Sequence, residues 1–237
     1  MKHVLGAILL CATLAYSQGD VSLAVQLADP SGKAWTGARV ILLDEPDPPA
    51  IPQNLQYRAV VDEKGVALFS SIPSGKYRVC AGGGGTRMLN PCVWDRRGVY
   101  VTTPSPNAKQ AAIKLVFEEG AIVKVSIDDQ ADILANNLGK DSAKILLMEI
   151  WNEAVGRSPV LPSSASKAKQ KDYEVLVPKG YSYKVRVMSP GFAVEDIVAK
   201  RRVDLPDRDI DVEVKADAAE ATIQLAATDV KAVESIK

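Results

Sequence analysis

The chain has 237 residues with 29 Lys and Arg against 29 Asp and Glu, a single histidine, three cysteines and only 5% aromatic residues. Near-neutral charge without a basic run argues against nucleic acid and anionic membrane surfaces as main partners. One histidine, placed at position 3, leaves no Ser-His-Asp or Cys-His arrangement and no histidine-rich zinc site elsewhere in the chain.

The first element is Met1–Ser17. Lys2 and His3 form a basic start, Val4–Ala15 an apolar stretch, and Ala15-Tyr16-Ser17 puts small residues at −3 and −1. This order reads as a signal peptide cut before Gln18, and the apolar stretch is shorter than the ~20 residues a membrane span needs. Leu10 before Cys11 does not suit lipid attachment. Cleavage would remove His3 and Lys2, leaving 28 basic and 29 acidic residues. The expected location is therefore secreted or periplasmic, with no membrane span.

Strand patterns dominate the remainder of the chain. Val21–Leu27 alternates, Asp29-Pro-Ser-Gly32 reads as a turn, and Ala38–Leu43 is a second strand. The proline-rich run 44–52 can only be a loop. Tyr57–Val61 and Val66–Phe69 flank Asp62-Glu-Lys-Gly65 as a hairpin. Pro73-Ser-Gly75 introduces Lys76–Cys80, and Gly98–Thr102 and Ala111–Phe117 complete the first set. Short strands between Gly/Pro turns predict an antiparallel sandwich.

The second half echoes the first. Ile72-Pro-Ser-Gly-Lys-Tyr-Arg-Val79 finds a counterpart in Val177-Pro-Lys-Gly-Tyr-Ser-Tyr-Lys-Val-Arg-Val187. Ala121–Ile127 and Lys144–Trp151 match the two opening strands, and only Gln130–Lys140 has a helical character, ended by Asn136-Asn-Leu-Gly139. The period predicts tandem sandwiches over 18–119 and 120–228 with a tail at 229–237, the boundary falling at Glu118-Glu-Gly120. One larger sandwich with a coincidental echo is the alternative.

Gly37-Ala-Arg-Val40, Asp62-Glu-Lys-Gly65, Phe69 and Ile72–Val79 resemble the carboxypeptidase regulatory-like domain, over roughly residues 20–118 and more faintly over 120–227. The resemblance implies an all-β, transthyretin-like Greek-key sandwich serving as a noncatalytic accessory or interaction module in exported bacterial proteins. The zinc carboxypeptidase catalytic domain that gives the family its name is absent. The loop at 44–52 and the glycines at 81–85 depart from the family pattern.

Export favours pairing of the two cysteines that remain, Cys80 and Cys92. Closing that loop is worth ~3 kcal/mol in the chain-entropy model. Two free thiols or a redox pair is the other reading, though C-x11-C is not a redox spacing. Gly82-Gly-Gly-Gly85 lacks the Gly-Lys-Ser/Thr of a phosphate loop and reads as a flexible hinge inside the ring. Trp94 comes soon after Cys92 and precedes Asp95-Arg96-Arg97.

The expected contact edge is therefore Gly82, Gly83, Gly84, Gly85, Arg87, Trp94, Arg96 and Arg97 beside the loop 44–52. An envelope or extracellular protein is the expected partner. A polysaccharide stacked on Trp94 is the alternative, with Trp35 and Trp151 as further platforms. Ser164-Ala-Ser-Lys167 and Ser166–Lys169 fit Ser-x-x-Lys without its partner motifs and read as a solvated loop. Asp128-Asp-Gln-Ala-Asp132 and Asp204–Asp211 lack the spacing of a calcium loop. No Asp-Thr-Gly or Asp-Ser-Gly occurs. No catalytic residue, metal or cofactor is expected.

Overall fold

The computed structural model describes residues 20–45, 56–94, 98–103, 110–134, 146–164, 169–189 and 191–228. The expected signal peptide at 1–17, most of the loop 44–52, Arg96, Arg97, most of the helical reading over 130–140 and the expected tail 229–237 lie outside these. Within 130–134 only Ile133 and Leu134 are helical. The regular secondary structure of the described residues is almost entirely β-strand, as the alternation predicts.

The N-terminal half contains β1 (Asp20–Ala28), β2 (Ala38–Asp44), β3 (Gln56–Val60), β4 (Val66–Pro73), β5 (Lys76–Gly83), the short helix α1 (Pro91–Trp94), β6 (Tyr100–Thr102) and β7 (Gln110–Val116). They form two sheets, ordered β4-β1-β7 and β3-β2-β5-β6. The C-terminal half repeats the layout with β8 (Ala121–Asp128), β9 (Leu147–Asn152), β10 (Gly156–Pro159), β12 (Gln170–Val177), β13 (Tyr181–Met188), β16 (Ile210–Val214) and β17 (Glu220–Thr228). It adds β11 (Leu161–Pro162), β14 (Ala193–Asp196) and β15 (Arg201–Arg202), giving sheets β10-β9-β13-β16 and β11-β12-β8-β17-β14-β15.

Pairing is antiparallel except where each half closes. There β1 runs parallel to β7 and β8 parallel to β17, a feature that alternation alone does not foretell. Val21, Leu23, Val25 and Leu27 face inward from β1 and are at most 3% exposed. That is the outcome of a two-residue period with one face packed. One core cluster lies between the N-terminal sheets and a second between the C-terminal sheets. The second also takes in Leu89 and Trp94 from the N-terminal half.

Local chemistry fixes the turns. The Asp62 carboxylate accepts from the backbone N–H of Lys64 and Val66 at 2.9 and 2.8 Å, and Asp29 accepts from Lys33 N–H and the Ser31 hydroxyl. Both are side-chain-closed turns of the kind that favours aspartate. The repeated Pro-x-Gly corner also becomes one structural device used twice. The Tyr77 hydroxyl donates to Pro73 O at 2.6 Å, and the Tyr183 hydroxyl donates to Pro178 O at 2.7 Å.

Candidate functional site

The residues singled out in the sequence come mostly from one segment, Cys80–Trp94. It starts on β5, leaves the sheet through the glycines and returns through α1. Cys80 and Cys92 are disulfide-bonded with Cα atoms 5.2 Å apart, which fastens α1 to β5. Helix α1 starts at Pro91, where a missing N–H costs nothing, behind Asn90, whose side-chain oxygen accepts from Cys92 N–H at 2.9 Å as an N-cap does.

The glycines are not a loose hinge. Trp35 lies beneath them, 1% exposed, and its indole N–H donates to Gly83 O at 2.9 Å. Gly84 holds φ +75°, and a Cβ there would sit 2.6 Å from Thr36 O and 2.9 Å from Trp35 Nε1. The run is thus a turn pinned at Gly84, where a side chain would break it, while Gly83 and Gly85 have open space around them. Four consecutive glycines read as flexibility in sequence; the buried indole beneath them supplies the constraint.

Trp94 does not present its ring to solvent. It is 7% exposed, belongs to the C-terminal core, and meets Tyr183 edge to face with ring centroids 6.0 Å apart. Burial, then the neighbouring Tyr181, raises the Tyr183 hydroxyl above the ordinary tyrosine range. Leu89 enters the same core. Around them the backbone of the segment is stitched to the junction: Leu89 N–H donates to Glu118 O at 2.9 Å at the end of the N-terminal half, and Gly120 N–H, at the start of the C-terminal half, to Arg87 O at 2.7 Å. The Arg87 guanidinium donates to Ala219 O at 3.0 Å, and Lys179 pairs with Glu119 at 3.4 Å. At Gly120 a Cβ would lie 2.7 Å from both Leu89 Cδ2 and Val177 O, so the junction itself needs the absence of a side chain.

The expected contact edge is therefore divided. Gly82–Gly85 cover Trp35, Arg87 and Trp94 hold the C-terminal half, and Arg96 and Arg97 lie outside the described residues. Arg87 and Trp94, with Leu89, form a clasp between the halves. A groove of about 430 Å³ opens beside it, lined by Leu89, Trp94, Val99, Val116, Phe117 and Tyr181 among others. Val116 and Tyr181 are 59% and 40% exposed. Leu89 and the β7 rim escaped sequence reading; Leu89 directly before the Asn90-Pro91 helix start was the available signal, as a hydrophobic residue preceding an N-cap often packs.

Elsewhere the acids are engaged within the chain. Asp129, fully buried, accepts from Leu134 N–H at 3.0 Å, Asp132 pairs with Lys169, and Asp209 receives Arg186 through two bonds of 3.0 and 3.1 Å. Asp204 accepts from Val194 N–H and pairs with Arg202. Among the described residues no three His, Cys, Asp or Glu side chains gather as a metal site. Trp151 is half-buried, and its indole N–H finds no hydrogen-bond partner among the described residues. Ser164 is a turn residue, and residues 165–168 lie outside the described set.

No protein-family model matches the chain, and no curated protein does. The carboxypeptidase regulatory-like resemblance thus stands on its turn and core residues alone. Among solved structures the chain is similar to the minor pilin GBS52 of Streptococcus agalactiae (11% identity, 89% of this chain and 96% of that one, TM-score 0.41). It is also similar to a streptococcal ancillary pilin (12%, 88% and 63%, TM-score 0.38) and to the Bacillus anthracis TIE protein (14%, 88% and 34%, TM-score 0.34). The chain spans about a third of the length of the last. Superpositions this loose carry no weight for function.

Proposed function

We propose that the chain is an exported, noncatalytic module of structural or protein-interaction type, working in the bacterial envelope or extracellular space. In this reading residues 18–119 and 120–228 are two β-sandwiches, and the Cys80–Trp94 segment sets their mutual orientation. The observation that supports it is the clasp: a disulfide-tethered segment of one half places Leu89 and Trp94 in the core of the other. Such an arrangement favours a fixed presenting surface over a moving catalytic cleft. The disulfide also suits an oxidising compartment, in keeping with a signal peptide at 1–17.

Sugar stacking on Trp35 or Trp94 has little support, since both rings are buried. The test is capture of partners by the tagged chain from Gln18 onward, incubated with envelope and secreted fractions of its host. A specific protein retained at physiological salt is the expected result. Retention of glycan alone, or turnover of a substrate by the purified chain, would overturn the reading.

A further inference from the structure

In the sheet β3-β2-β5-β6 the residues that alternate with the buried ones point away from the core. Register puts Val60 opposite Arg39, Arg58 opposite Ile41 and Arg78 opposite Leu43, so these six share the outer face. Arg39 and Arg58 are exposed, Val60 is 62% exposed, and Ile41, Leu43 and Arg78 are half-buried. Lys76 joins them at one end, over the Tyr100 ring at 5.3 Å, where the Tyr100 hydroxyl meets Glu45 at 3.5 Å. Cys80 also takes an outward position, and its bond to Cys92 sets α1 along the β5 side, while Arg39, Arg58 and Val60 stay open to solvent.

No acidic residue holds an outward position on these four strands among the described residues. The Arg39 and Arg78 side chains form no hydrogen bond or ion pair among the described residues, and Arg58 meets only the Gln56 side chain at 3.1 Å. The Arg78 Nε is enclosed without a partner. The corresponding sheet of the C-terminal half, β10-β9-β13-β16, treats its cations differently. There Arg157 faces Glu149 at 3.9 Å, Lys184 faces Asp211 at 3.7 Å and Arg186 holds Asp209 at 3.0 Å. With 29 basic and 29 acidic residues the whole chain is neutral, so the unpaired arginines do not reflect a basic protein. They come from three strands, which is why no basic run announces them.

We infer that the outer face of β3, β2 and β5 is the docking surface for an extended, acidic segment of a partner protein. Its carboxylates meet Arg39, Arg58 and Arg78, and its apolar side chains cover Ile41 and Val60. A guanidinium fork matches a carboxylate through two parallel bonds. Arg39 and Arg58 stand on adjacent strands, two residues apart along them, which places their backbones roughly 8 Å from each other. Alternate side chains of an extended segment, ~7 Å apart, span that separation. Apolar side chains between the cations fit a peptide better than a uniformly charged polymer. The inference rests on the reading of the chain as an interaction module and names its surface and the chemistry of its partner.

The probe is a fluorescein-labelled octapeptide of alternating glutamate and valine, titrated against the full chain from Gln18 and followed by anisotropy. An octapeptide of alternating lysine and valine is the control. Saturable binding is expected, weakening as salt rises. Arg39→Glu with Arg58→Glu should weaken it at least tenfold, and Arg39→Lys with Arg58→Lys, which keeps the charge and loses the fork, severalfold. Lys184→Glu on the C-terminal face should leave it unchanged. Both arginines are exposed, so an unaltered urea midpoint in each variant checks that the fold is intact.

The inference is overturned by equal binding of the two octapeptides, or by an affinity that Lys184→Glu lowers as much as the double glutamate variant does. Tighter binding of phosphatidylglycerol vesicles or dextran sulfate than of the acidic octapeptide would also overturn it, in favour of a membrane or a polysaccharide. So would sedimentation of a dimer abolished by Arg58→Glu, which would make a second copy the occupant. A partner captured from envelope fractions equally by wild type and the double glutamate variant would remove this face while leaving the interaction-module reading in place.

Discussion

The strand that opens each half and the strand that closes it run side by side in parallel, with Val25 beside Ile113 in one and Val125 beside Ile223 in the other. Both halves carry a tyrosine tied to a corner proline, at Tyr77 and Tyr183. They part at their rims. Among the described residues the sheet holding the closing strand has three strands in the N-terminal half and six in the C-terminal half, where β11, β14 and β15 extend it. The N-terminal half instead sends Leu89 and Trp94 into its neighbour. A shared core pattern thus specifies a shared fold, while the residues at the rims set the two halves apart.

Trp94 tests that comparison most severely, because it belongs to one half by sequence and to the other by packing. Trp94→Ala deletes a buried ring from the C-terminal core and is expected to cost ~3–5 kcal/mol, the range for large aromatic truncations, read from urea unfolding. Hydrogen exchange should accelerate in β13 and β16 before it does in β1 and β4. Equal acceleration throughout would mean that the ring does not belong chiefly to the C-terminal core.

The disulfide comes next. Replacing Cys80 and Cys92 together by serine releases a short loop and is expected to cost ~3 kcal/mol in the same assay. The clasp should survive in weakened form because the packing of Trp94 on Tyr183 and the Arg87 bond to Ala219 O remain. Retention of the bonds between the halves can be tracked through exchange of the Gly120 amide, which donates to Arg87 O. Complete loss of its protection would show that the disulfide is what holds the segment against the C-terminal half.

A smaller and sharper contrast lies inside the glycine run. Gly84→Ala meets both a left-handed backbone at φ +75° and backbone atoms within 3.0 Å, so it should cost ~2 kcal/mol or more. Gly85→Ala has a similar φ of +66° but nothing within 4 Å, leaving only the conformational penalty of ~1 kcal/mol. Equal costs would mean that the turn relaxes away from Trp35, restoring the flexible-hinge expectation.

Much of the fold was legible because its signals are local. The alternation of Val21–Leu27, the Asp62–Gly65 turn and the doubled Pro-x-Gly corner each determine their own geometry within a few residues. Pairing of Cys80 with Cys92 came from compartment chemistry. The site was less legible because its logic is long-range. Nothing near Trp94 in sequence announces Tyr183, and nothing near Gly82–Gly85 announces Trp35, 48 residues away from Gly83. The different rims of β7 and β17 are harder still, since Ile113 and Leu115 match Ile223 and Leu225 in type, yet among the described residues only β17 has a named strand, β14, on its far side.

The two corner tyrosines give the finest comparison. Burial above all, with Tyr57 and Asp44 adding to it, pushes the Tyr77 hydroxyl from its ordinary value of 10.0 up to about 12, and Tyr183 is raised as well. A raised folded-state value means that the neutral, hydrogen-bonded form is the one the fold stabilises. Its contribution is complete below the unfolded value and disappears as pH climbs through the folded one. Stability should therefore fall between pH 10 and about 12. Tyr77→Phe lowers stability at pH 8 by ~1 kcal/mol, since Pro73 O loses its donor, yet it should flatten the alkaline decline without abolishing it. The remaining slope belongs to Tyr183 and to Tyr173, whose hydroxyl is also raised by burial and then by Asp129, so Tyr183→Phe in the same background should reduce it further. A decline that keeps its full slope in the double variant would assign alkaline sensitivity to groups outside the corners, and the corners would then be equivalent in geometry alone.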